Sequence, residues 1–329
     1  MKLIRCTLTA ALLSYGALAQ PSIYVPSLGA SDVTVISTGT NRVSTTIGVG
    51  DQPRGMAVSA NGQRLYVANQ NSQSVSVIKV RTNQLVDTIP VEGNPFSVAV
   101  TPDSRQLFVA YPFPSQVDVY DLYTKHRIAS IPIPDQAYAL VMHPDGLTLY
   151  VTSANGNGLY LVSTVTHQVV RRITLGMSGL GACITADGSR LYVFTQSSGP
   201  TFDNSPQAIW MINTHSNHVE DSVQGSFSES MDLSADGRRL YSMGNAGLAT
   251  IQAHPLRVLE TVPLDGPVFN GNFAFALAAS PTSPKLYLVF TLENLVRVYN
   301  TETRTIVATV PVGPFPLSIA IPVPRGLEE

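Results

Sequence analysis

Short stretches of alternating apolar and polar residues make up most of the chain, and none is long enough to predict a long amphipathic helix. Over Val75–Ile78 the alternation has a period of two, which is typical of a half-buried strand. Asn61-Gly62 lies between two apolar stretches and favours a tight hairpin turn. Four strands are therefore predicted in this part of the chain: Gly55–Ser59, Arg64–Ala68, Val75–Ile78 and Leu85–Ile89.

A Leu-Tyr-Val motif repeats along the whole chain at nearly constant spacing. Its copies begin at Ile23, Leu65, Leu107, Leu149, Leu191, Leu240 and Leu286, in steps of 42, 42, 42, 42, 49 and 46 residues. Four short strands in a repeat of this length are the signature of a propeller blade. The sequence therefore predicts an all-β, seven-bladed β-propeller with four-stranded blades.

The two ends of the chain are expected to close the ring together. The first motif, at Ile23, belongs to a second strand, and the C-terminal segment Leu317–Ile321 has the pattern of an additional first strand. The N-terminal strands and this innermost C-terminal strand are predicted to complete one blade, so that residues 20–329 form a single propeller.

The repeat also carries a family resemblance. The pattern P-x-x-[VM]-A-V-[ST]-x-[DN]-G, followed by LYVAN and VSVI, resembles the YVTN-type β-propeller repeat over residues 22–322. The resemblance implies a seven-bladed propeller of the exported, surface-layer or periplasmic type, often without an assigned activity. At the level of fold it is similar to lactonase-type and quinoprotein-type propellers, but fold alone does not assign function.

The N-terminal segment has the pattern of a secretory signal peptide. Lys2 and Arg5 precede a mostly apolar stretch over residues 7–13, and Ala17-Leu18-Ala19 is a typical cleavage site. Residues 1–19 are therefore predicted to be removed from an exported protein that is periplasmic or secreted. Cys183 is then the remaining cysteine, so no intrachain disulfide is expected.

Charge adds little to the expected list of partners. The formal net charge is −2, and no run of Lys or Arg exceeds two residues. Such a sequence predicts neither nucleic-acid binding nor attachment to an anionic membrane. Since a closed ring has no edge that needs pairing, a monomer is expected.

Two insertions point to one side of the propeller. The loops from second to third strands and from blade to blade lie on one rim, here called the insertion rim; the turns between first and second and between third and fourth strands lie on the opposite rim. Extra residues fall within 196–207 and 264–274, both on the insertion rim. Because loops on a rigid scaffold carry function, a small molecule or protein is expected to bind there, with Phe202, Asp203 and Asn272 as candidate contacts.

The first strand of each blade lines the central channel. Its first channel position is occupied around the ring by Arg54, Phe96, Tyr138, Leu180, Glu229, Phe275 and Leu317. Three residues further on stand Ala57, Ala99, Val141, Cys183, Asp232, Ala278 and Ala320. One hypothesis makes Arg54, Glu229 and Asp232 the polar anchors of a ligand funnel, with walls formed by Phe96, Tyr138 and Phe275. The alternative is structural: Asp232 caps backbone amides or holds channel water, and Arg54 and Glu229 are solvated.

Several catalytic and cofactor motifs are absent from the sequence. There is no C-x-x-C-H, no G-x-S-x-G and no phosphate-binding loop, and a single Trp argues against WD40 blades, so no cofactor is predicted. The histidines fall in turns or at strand ends of the opposite rim, where solvated turn residues are expected. Cys183 is interpreted as a packing group.

Two functional hypotheses remain. The favoured one is a non-catalytic exported scaffold that binds its ligand through the insertion rim. The alternative is a lactonase-like hydrolase or lyase in which Glu229 and Asp232 are the catalytic carboxylates. A divalent cation held with Asp203 or Asn272 is compatible with that alternative, and the metal is left open.

Overall fold

The computed structural model describes residues 21–197, 206–264 and 274–322. Every regular element in these residues is a β-strand, and the strands form seven antiparallel sheets. The predicted all-β, seven-bladed propeller is confirmed. The predicted signal peptide and the centres of both insertions lie outside the described residues. The described part of the chain contains no helix with the length and apolar character needed to cross a membrane.

The first three blades follow one another from the N-terminal side. Blade one contains β1 (Ser22–Ser27), β2 (Asp32–Ser37) and β3 (Arg42–Gly48). Blade two contains β4 (Pro53–Val58), β5 (Arg64–Asn69), β6 (Ser74–Lys79) and β7 (Gln84–Pro90). Blade three contains β8 (Ser97–Val100), β9 (Gln106–Tyr111), β10 (Gln116–Asp121) and β11 (Arg127–Pro132). The strands predicted for blade two agree with these bounds to within two residues at each end.

The remaining four blades repeat this order from the channel outwards. Blade four contains β12 (Ala137–Met142), β13 (Thr148–Ser153), β14 (Gly158–Ser163) and β15 (Gln168–Thr174). Blade five contains β16 (Ser178–Ile184), β17 (Arg190–Gln196), β18 (Gln207–Asn213) and β19 (His218–Gln224). Blade six contains β20 (Met231–Leu233), β21 (Arg239–Gly244), β22 (Gly247–Gln252) and β23 (Arg257–Val262). Blade seven contains β24 (Ala274–Ala279), β25 (Lys285–Phe290), β26 (Leu295–Asn300) and β27 (Thr305–Pro311).

The hydrophobic core is divided among the seams between blades. Six of the seven hydrophobic clusters combine side chains from two neighbouring blades, and the seventh joins blades five and six with Ala154 and Tyr138 of blade four. The central residue of the repeated motif is buried in every seam, and Tyr24 and Tyr192 also donate hydrogen bonds to the carbonyl oxygens of Val80 and Ala253 in the next blade, at 3.2 and 3.0 Å. The motif therefore reflects packing between blades, because a large aromatic side chain removes much apolar surface from water, and in Tyr24 and Tyr192 the hydroxyl keeps a hydrogen-bond partner.

Ring closure occurs as predicted, through a shorter pairing than a full strand. The Tyr24 amide donates to the Ala320 oxygen at 2.9 Å, and the Ala320 amide donates back at 3.0 Å. A second isolated bridge joins Ser27 to Pro316. Pro316 has no N–H to donate, which limits the ladder at that point. The Ser318 hydroxyl also donates to the Arg54 oxygen at 2.6 Å, so the closing segment contacts blade two as well as blade one.

The outermost strand of each blade carries a β-bulge. The register between third and fourth strands shifts in all seven blades, as between Val35 and Ile36 or between Val77 and Ile78. Bulges increase local twist and disturb the unpaired edge. They therefore protect the outside of the ring against pairing with another chain's strand.

Candidate functional site

The first channel position places side chains at the mouth of the channel on the insertion rim. Each innermost strand follows a blade-to-blade loop of that rim, so its first residues lie near the rim and its later residues lie deeper in the channel. Arg54 and Tyr138 lie near the start of their strands, while Phe96 and Glu229 come just before β8 and β20. Phe275 lies in β24, but its side chain is outside the described part of the structure.

Three side chains from consecutive blades form one wall of the mouth. The Arg54 guanidinium lies over the Phe96 ring, 4.0 Å from its centroid. The Phe96 and Tyr138 rings lie with centroids 4.7 Å apart and planes tilted by 48°. A guanidinium on an aromatic face gains a cation–π interaction and leaves its edge N–H groups free to bind. The wall therefore combines apolar surface with one oriented cation.

A polar chain crosses the channel from this wall to blade six. The Tyr138 hydroxyl lies close enough to the Arg54 guanidinium and to the Glu229 carboxyl to interact electrostatically with both. Leu180, the residue between Tyr138 and Glu229 in the ring, is buried, with 3% of its surface exposed. The sequence predicted Tyr138 only as an apolar wall. Its hydroxyl is a further polar contact, and the Gln70 side chain, which accepts from Arg54 at 3.4 Å, is another contact that sequence reasoning missed.

Burial dominates the electrostatics of this chain. It raises the pKa of the Glu229 carboxyl, and the Tyr138 hydroxyl and the Arg54 charge oppose that rise. Burial also raises the pKa of Tyr138, and the Glu229 charge raises it further, so the phenol stays protonated and can donate. Burial lowers the pKa of Arg54, while Tyr138 and Glu229 oppose the shift. A carboxylate with a raised pKa next to a cation and a phenol is an arrangement often found at functional sites.

Asp232 lies deeper in the channel and joins two blades. Its Oδ1 accepts the Leu233 amide and its Oδ2 accepts the Ala279 amide of blade seven, both at 2.8 Å. These contacts are the amide capping that the structural alternative proposed for Asp232. Burial raises the pKa of the Asp232 carboxyl to about 6, and the two amides limit the rise.

The raised pKa of Asp232 predicts a pH dependence of stability. Between the ordinary pKa of 3.8 and about 6, the folded chain holds a proton that the unfolded chain has released. The free energy of unfolding therefore falls as pH rises through this window, by at most about 3 kcal/mol, and levels off above it. Urea unfolding at pH 4, 5, 6 and 7 measures the effect, and Asp232→Asn is expected to remove this part of the slope. Parallel profiles for the two proteins would contradict the prediction.

Cys183 is the neighbour of Asp232 in the same ring of the channel. Burial raises the pKa of its thiol well above the ordinary value, and the Asp232 charge raises it further. Because the thiolate is the nucleophilic form, this thiol is unsuited to nucleophilic catalysis. The geometry supports its interpretation as a packing group.

Three of the predicted contact residues are in the insertions. Phe202, Asp203 and Asn272 lie outside the described residues. Within the ranges 21–197, 206–264 and 274–322, no three His, Cys, Asp or Glu side chains come together in a group that could hold a metal ion. The described part of the site therefore consists of Arg54, Phe96, Tyr138 and Glu229, with Asp232 below them.

Lys and Arg residues are concentrated on the opposite rim, where the turns and adjoining strand ends also carry Asp103, Asp121, Asp145, Asp187, Asp236 and Glu302. The loops of the insertion rim contain no Lys or Arg in their sequence, and their acidic residues are Asp51, Glu92, Asp135, Asp203, Glu229, Asp265 and Glu293. The turns between first and second strands on the opposite rim, with the adjoining strand starts, contain Arg64, Arg105, Arg190, Arg238, Arg239 and Lys285. The turns between third and fourth strands, with the adjoining strand ends, add Arg42, Lys79, Arg81, Lys125, Arg127, Arg257 and Arg304. Arg54 is thus a cation set into an acidic rim.

The histidines lie on the opposite rim, as predicted. His126, His215, His218 and His254 are exposed. His143 is half-buried, with Nδ1 2.7 Å from Asp145 and Nε2 3.1 Å from the Gly188 oxygen. These contacts connect turns and place no histidine at the channel mouth.

The comparisons with known proteins agree with this fold. A family model described as "Lactonase, 7-bladed beta-propeller" matches residues 23–89, which is blade one and most of blade two. No curated protein matches the chain significantly. The match covers a small part of the chain, so it supports a relationship to lactonase-type propellers without extending to every blade.

Solved structures match over nearly the whole chain. The periplasmic gluconolactonase PpgL of Pseudomonas aeruginosa is 16% identical, with a TM-score of 0.71 and coverage of 93% of this chain and 99% of that chain. A functionally unknown protein of Desulfotomaculum acetoxidans is 17% identical, with a TM-score of 0.76 and coverage of 92% and 99%. The dihydro-heme d1 dehydrogenase NirN is 13% identical, with a TM-score of 0.68 and coverage of 93% and 76%. At such identities the likeness shows the propeller fold, and the differing activities of these proteins leave function to the site.

Proposed function

We propose that the protein is a lactonase-like hydrolase acting on a lactone bound at the channel mouth of the insertion rim. The observation that carries the proposal is the polar chain from Arg54 through Tyr138 to Glu229. It brings a cation, a protonated phenol and a desolvated carboxylate to one end of a channel beside the Phe96 ring. This arrangement can hold a small ring compound and polarise an ester carbonyl.

The proposed reaction is direct addition of water. The Glu229 carboxylate takes a proton from a water molecule, which attacks the lactone carbonyl carbon. The Arg54 guanidinium stabilises the negative charge that develops on the carbonyl oxygen. The ring C–O bond then breaks, and the leaving oxygen recovers the proton from Glu229. One lactone and one water molecule give one hydroxy acid, and Glu229 returns to its starting state.

Tyr138 positions the base and keeps it ionised in this proposal. Its hydroxyl interaction lowers the pKa of Glu229 against the effect of burial. Without that interaction the carboxyl would hold its proton to higher pH and could not accept one from water. Asp232 has both oxygens engaged with backbone amides, so Glu229 is the better candidate for the base.

The comparisons favour this function over a non-catalytic binding scaffold. The family-model match at residues 23–89 carries a lactonase description, and a gluconolactonase is among the structurally similar proteins. The predicted signal peptide supports the further proposal that the reaction takes place outside the cytoplasm. The YVTN-type repeat is compatible with both functions, because its residues serve packing and turns.

A lactone assay tests the proposal directly. Purified protein is mixed with D-glucono-1,5-lactone, a γ-lactone and a linear ester in a pH-stat, with and without EDTA. Hydrolysis of a lactone above the spontaneous rate is the expected result. Saturable binding of these compounds without turnover would favour the scaffold instead. If EDTA abolishes the activity and calcium restores it, Glu229 would be a metal ligand rather than the general base.

A further inference from the structure

A second cavity lies on the opposite rim, between blades two and three. Its volume is about 640 Å³, within the range of small-molecule sites. The turns over residues 59–64, 101–106 and 121–125 surround it. Its lining includes Arg64, Arg105, Tyr123, Asn61, Gln63 and Ser104. None of these residues belongs to the channel site.

The two guanidinium groups of the cavity keep most of their binding capacity. Arg64 is exposed and interacts with the Tyr66 hydroxyl, and no carboxylate lies within ion-pair distance of it in the part of the chain that the structure describes. Arg105 is 3.8 Å from Asp103, with 83% of its side-chain surface exposed. An exposed ion pair at that distance contributes little, so Arg105 is available to an incoming anion.

The acidic residue of the cavity is already engaged in its own turn. Asp121 Oδ1 accepts the amides of Tyr123 and Thr124 at 3.0 and 2.7 Å. The turn that Asp121 caps presents Tyr123 at its tip, with 92% of the residue's surface exposed. An exposed ring of this kind offers a flat apolar face at the edge of a cavity that is otherwise polar.

The charge of the whole rim favours the same kind of ligand. Lys and Arg side chains are concentrated on the opposite rim, whereas the loops of the insertion rim contain none. The sequence suggested no partner recognised by charge, because these residues are scattered one or two at a time along the chain. The fold places most of them in or beside the turns of one face, where they outnumber the acidic residues of the same turns, and this excess of cations favours an anion.

We propose that this cavity binds an acidic saccharide chain, one whose sugar rings carry carboxylate groups. Arg64 and Arg105 pair with carboxylates of the sugar, since a guanidinium matches a carboxylate with two parallel hydrogen bonds. The Tyr123 ring packs against the C–H face of a sugar ring. Asn61, Gln63 and Ser104 lie where sugar hydroxyl groups can exchange hydrogen bonds with them.

Other anions fit these features less well. A lipid surface is bound by apolar side chains that insert beside the basic ones, and the described lining offers mainly amides and hydroxyls. Single-stranded nucleic acid is bound by successive aromatic platforms along a groove, whereas this cavity presents one exposed ring. Both remain as outcomes of the experiment.

The test is calorimetric titration of the protein with trigalacturonate at low salt. The double variant Arg64→Ala/Arg105→Ala is expected to bind about tenfold more weakly or worse. Tyr123→Ala is expected to weaken binding several-fold without a change of charge. The matched control is Arg238→Ala/Arg239→Ala, which removes the same charge from the corresponding turn of blade six and is expected to bind like the wild type. Neutral maltotriose is expected not to bind.

Three results would overturn the proposal. The first is no measurable binding of trigalacturonate by the wild-type protein. The second is equal weakening by the two double variants, which would assign binding to the general charge of the rim. The third is tighter binding of a short oligonucleotide or of anionic lipid vesicles than of trigalacturonate at the same salt concentration. Thermal melting of every variant checks that these exposed substitutions leave the fold intact.

Discussion

Replacing Glu229 by Gln is expected to lower kcat for lactone hydrolysis by about a hundredfold or more, because a positioned general base contributes about 10²- to 10⁴-fold. The amide has nearly the shape of the carboxyl but accepts no proton from water. KM should change little, since Arg54 and Phe96 are left to bind the lactone. Initial rates at several substrate concentrations separate the two effects.

Stability is not expected to suffer in this variant. Burial raises the pKa of Glu229, which means that the ionised carboxylate is costly in the folded protein. An uncharged amide removes that cost, so the melting temperature should stay equal or rise at neutral pH. A large loss of activity together with unchanged melting would separate a catalytic role from a structural one.

Glu92→Gln provides the matched control. Glu92 lies in a loop of the same rim, but its side chain is 69% exposed and pairs with Arg127 at 2.8 Å, away from the channel. Its activity should equal that of the wild type. If both variants keep wild-type activity, Glu229 is not the general base and the proposed mechanism is wrong.

The fold could be predicted almost completely from the repeat. The central aromatic of each motif, such as Tyr66 or Tyr150, is buried in a seam between blades, so the interval between successive motifs gives the length of one blade. The turn residues record the hairpins within each blade, as Asn61 does by accepting the Gln63 amide at 3.0 Å. Such signals are local, and seven copies reinforce one another.

The site could be predicted only in part. Aligning the blades was enough to place Arg54, Phe96, Tyr138 and Glu229 at one level of the channel. The interaction between Tyr138 and Glu229 could not be predicted, because it joins blades four and six across blade five, whose own residue at this level, Leu180, is buried. The capping role of Asp232 was one of two open alternatives, and the position of the Ala279 amide beside it decides the contact.

The distribution of charge over the protein surface was the property hardest to predict from the sequence. Its basic residues never occur in runs longer than two, which suggested no charged surface. Most of those in the described residues, such as Arg64, Arg239 or Arg304, fall in or beside a turn of the opposite rim, whereas Arg54, Arg171, Arg172 and Arg297 do not. A ring of repeated turns therefore converts a periodic placement along the chain into a basic face, which only alignment of the turns would show.

Gly181→Ala is expected to damage both stability and activity, because Gly181 lies against the backbone of Glu229. A Cβ at Gly181 would lie 1.8 Å from the Glu229 oxygen and 2.6 Å from its carbonyl carbon. Backbone atoms cannot rotate away as the end of a flexible side chain can. The innermost strands of blades five and six must therefore move apart, and Glu229 must move with its strand.

The corresponding position in other blades shows where a side chain is tolerated. Gly55 occupies it in blade two, where a Cβ would lie 2.6 Å from the Phe96 backbone oxygen, so the close approach recurs there. Ser97 and Ser230 occupy it in blades three and six, and their hydroxyls accept the amides of Leu140 and Leu277 in the next blade, at 3.3 and 2.6 Å. A side chain is therefore tolerated where the next strand presents an amide. At Gly181 the next strand presents a carbonyl at closer range, and only a hydrogen fits.

The expected loss of stability is about 1–3 kcal/mol, the usual cost of forcing extra atoms into a packed interior. The loss of activity can reach about a hundredfold, since a base displaced by about 1 Å loses its alignment with the attacked carbonyl. Gly48→Ala is the matched control, because a Cβ there meets nothing within 4 Å and should change stability by less than about 0.5 kcal/mol. Urea unfolding and lactone hydrolysis are measured on both variants. Wild-type stability in Gly181→Ala would contradict the close approach of these strands. Lost stability with full activity would show that the position of Glu229 does not matter for the reaction.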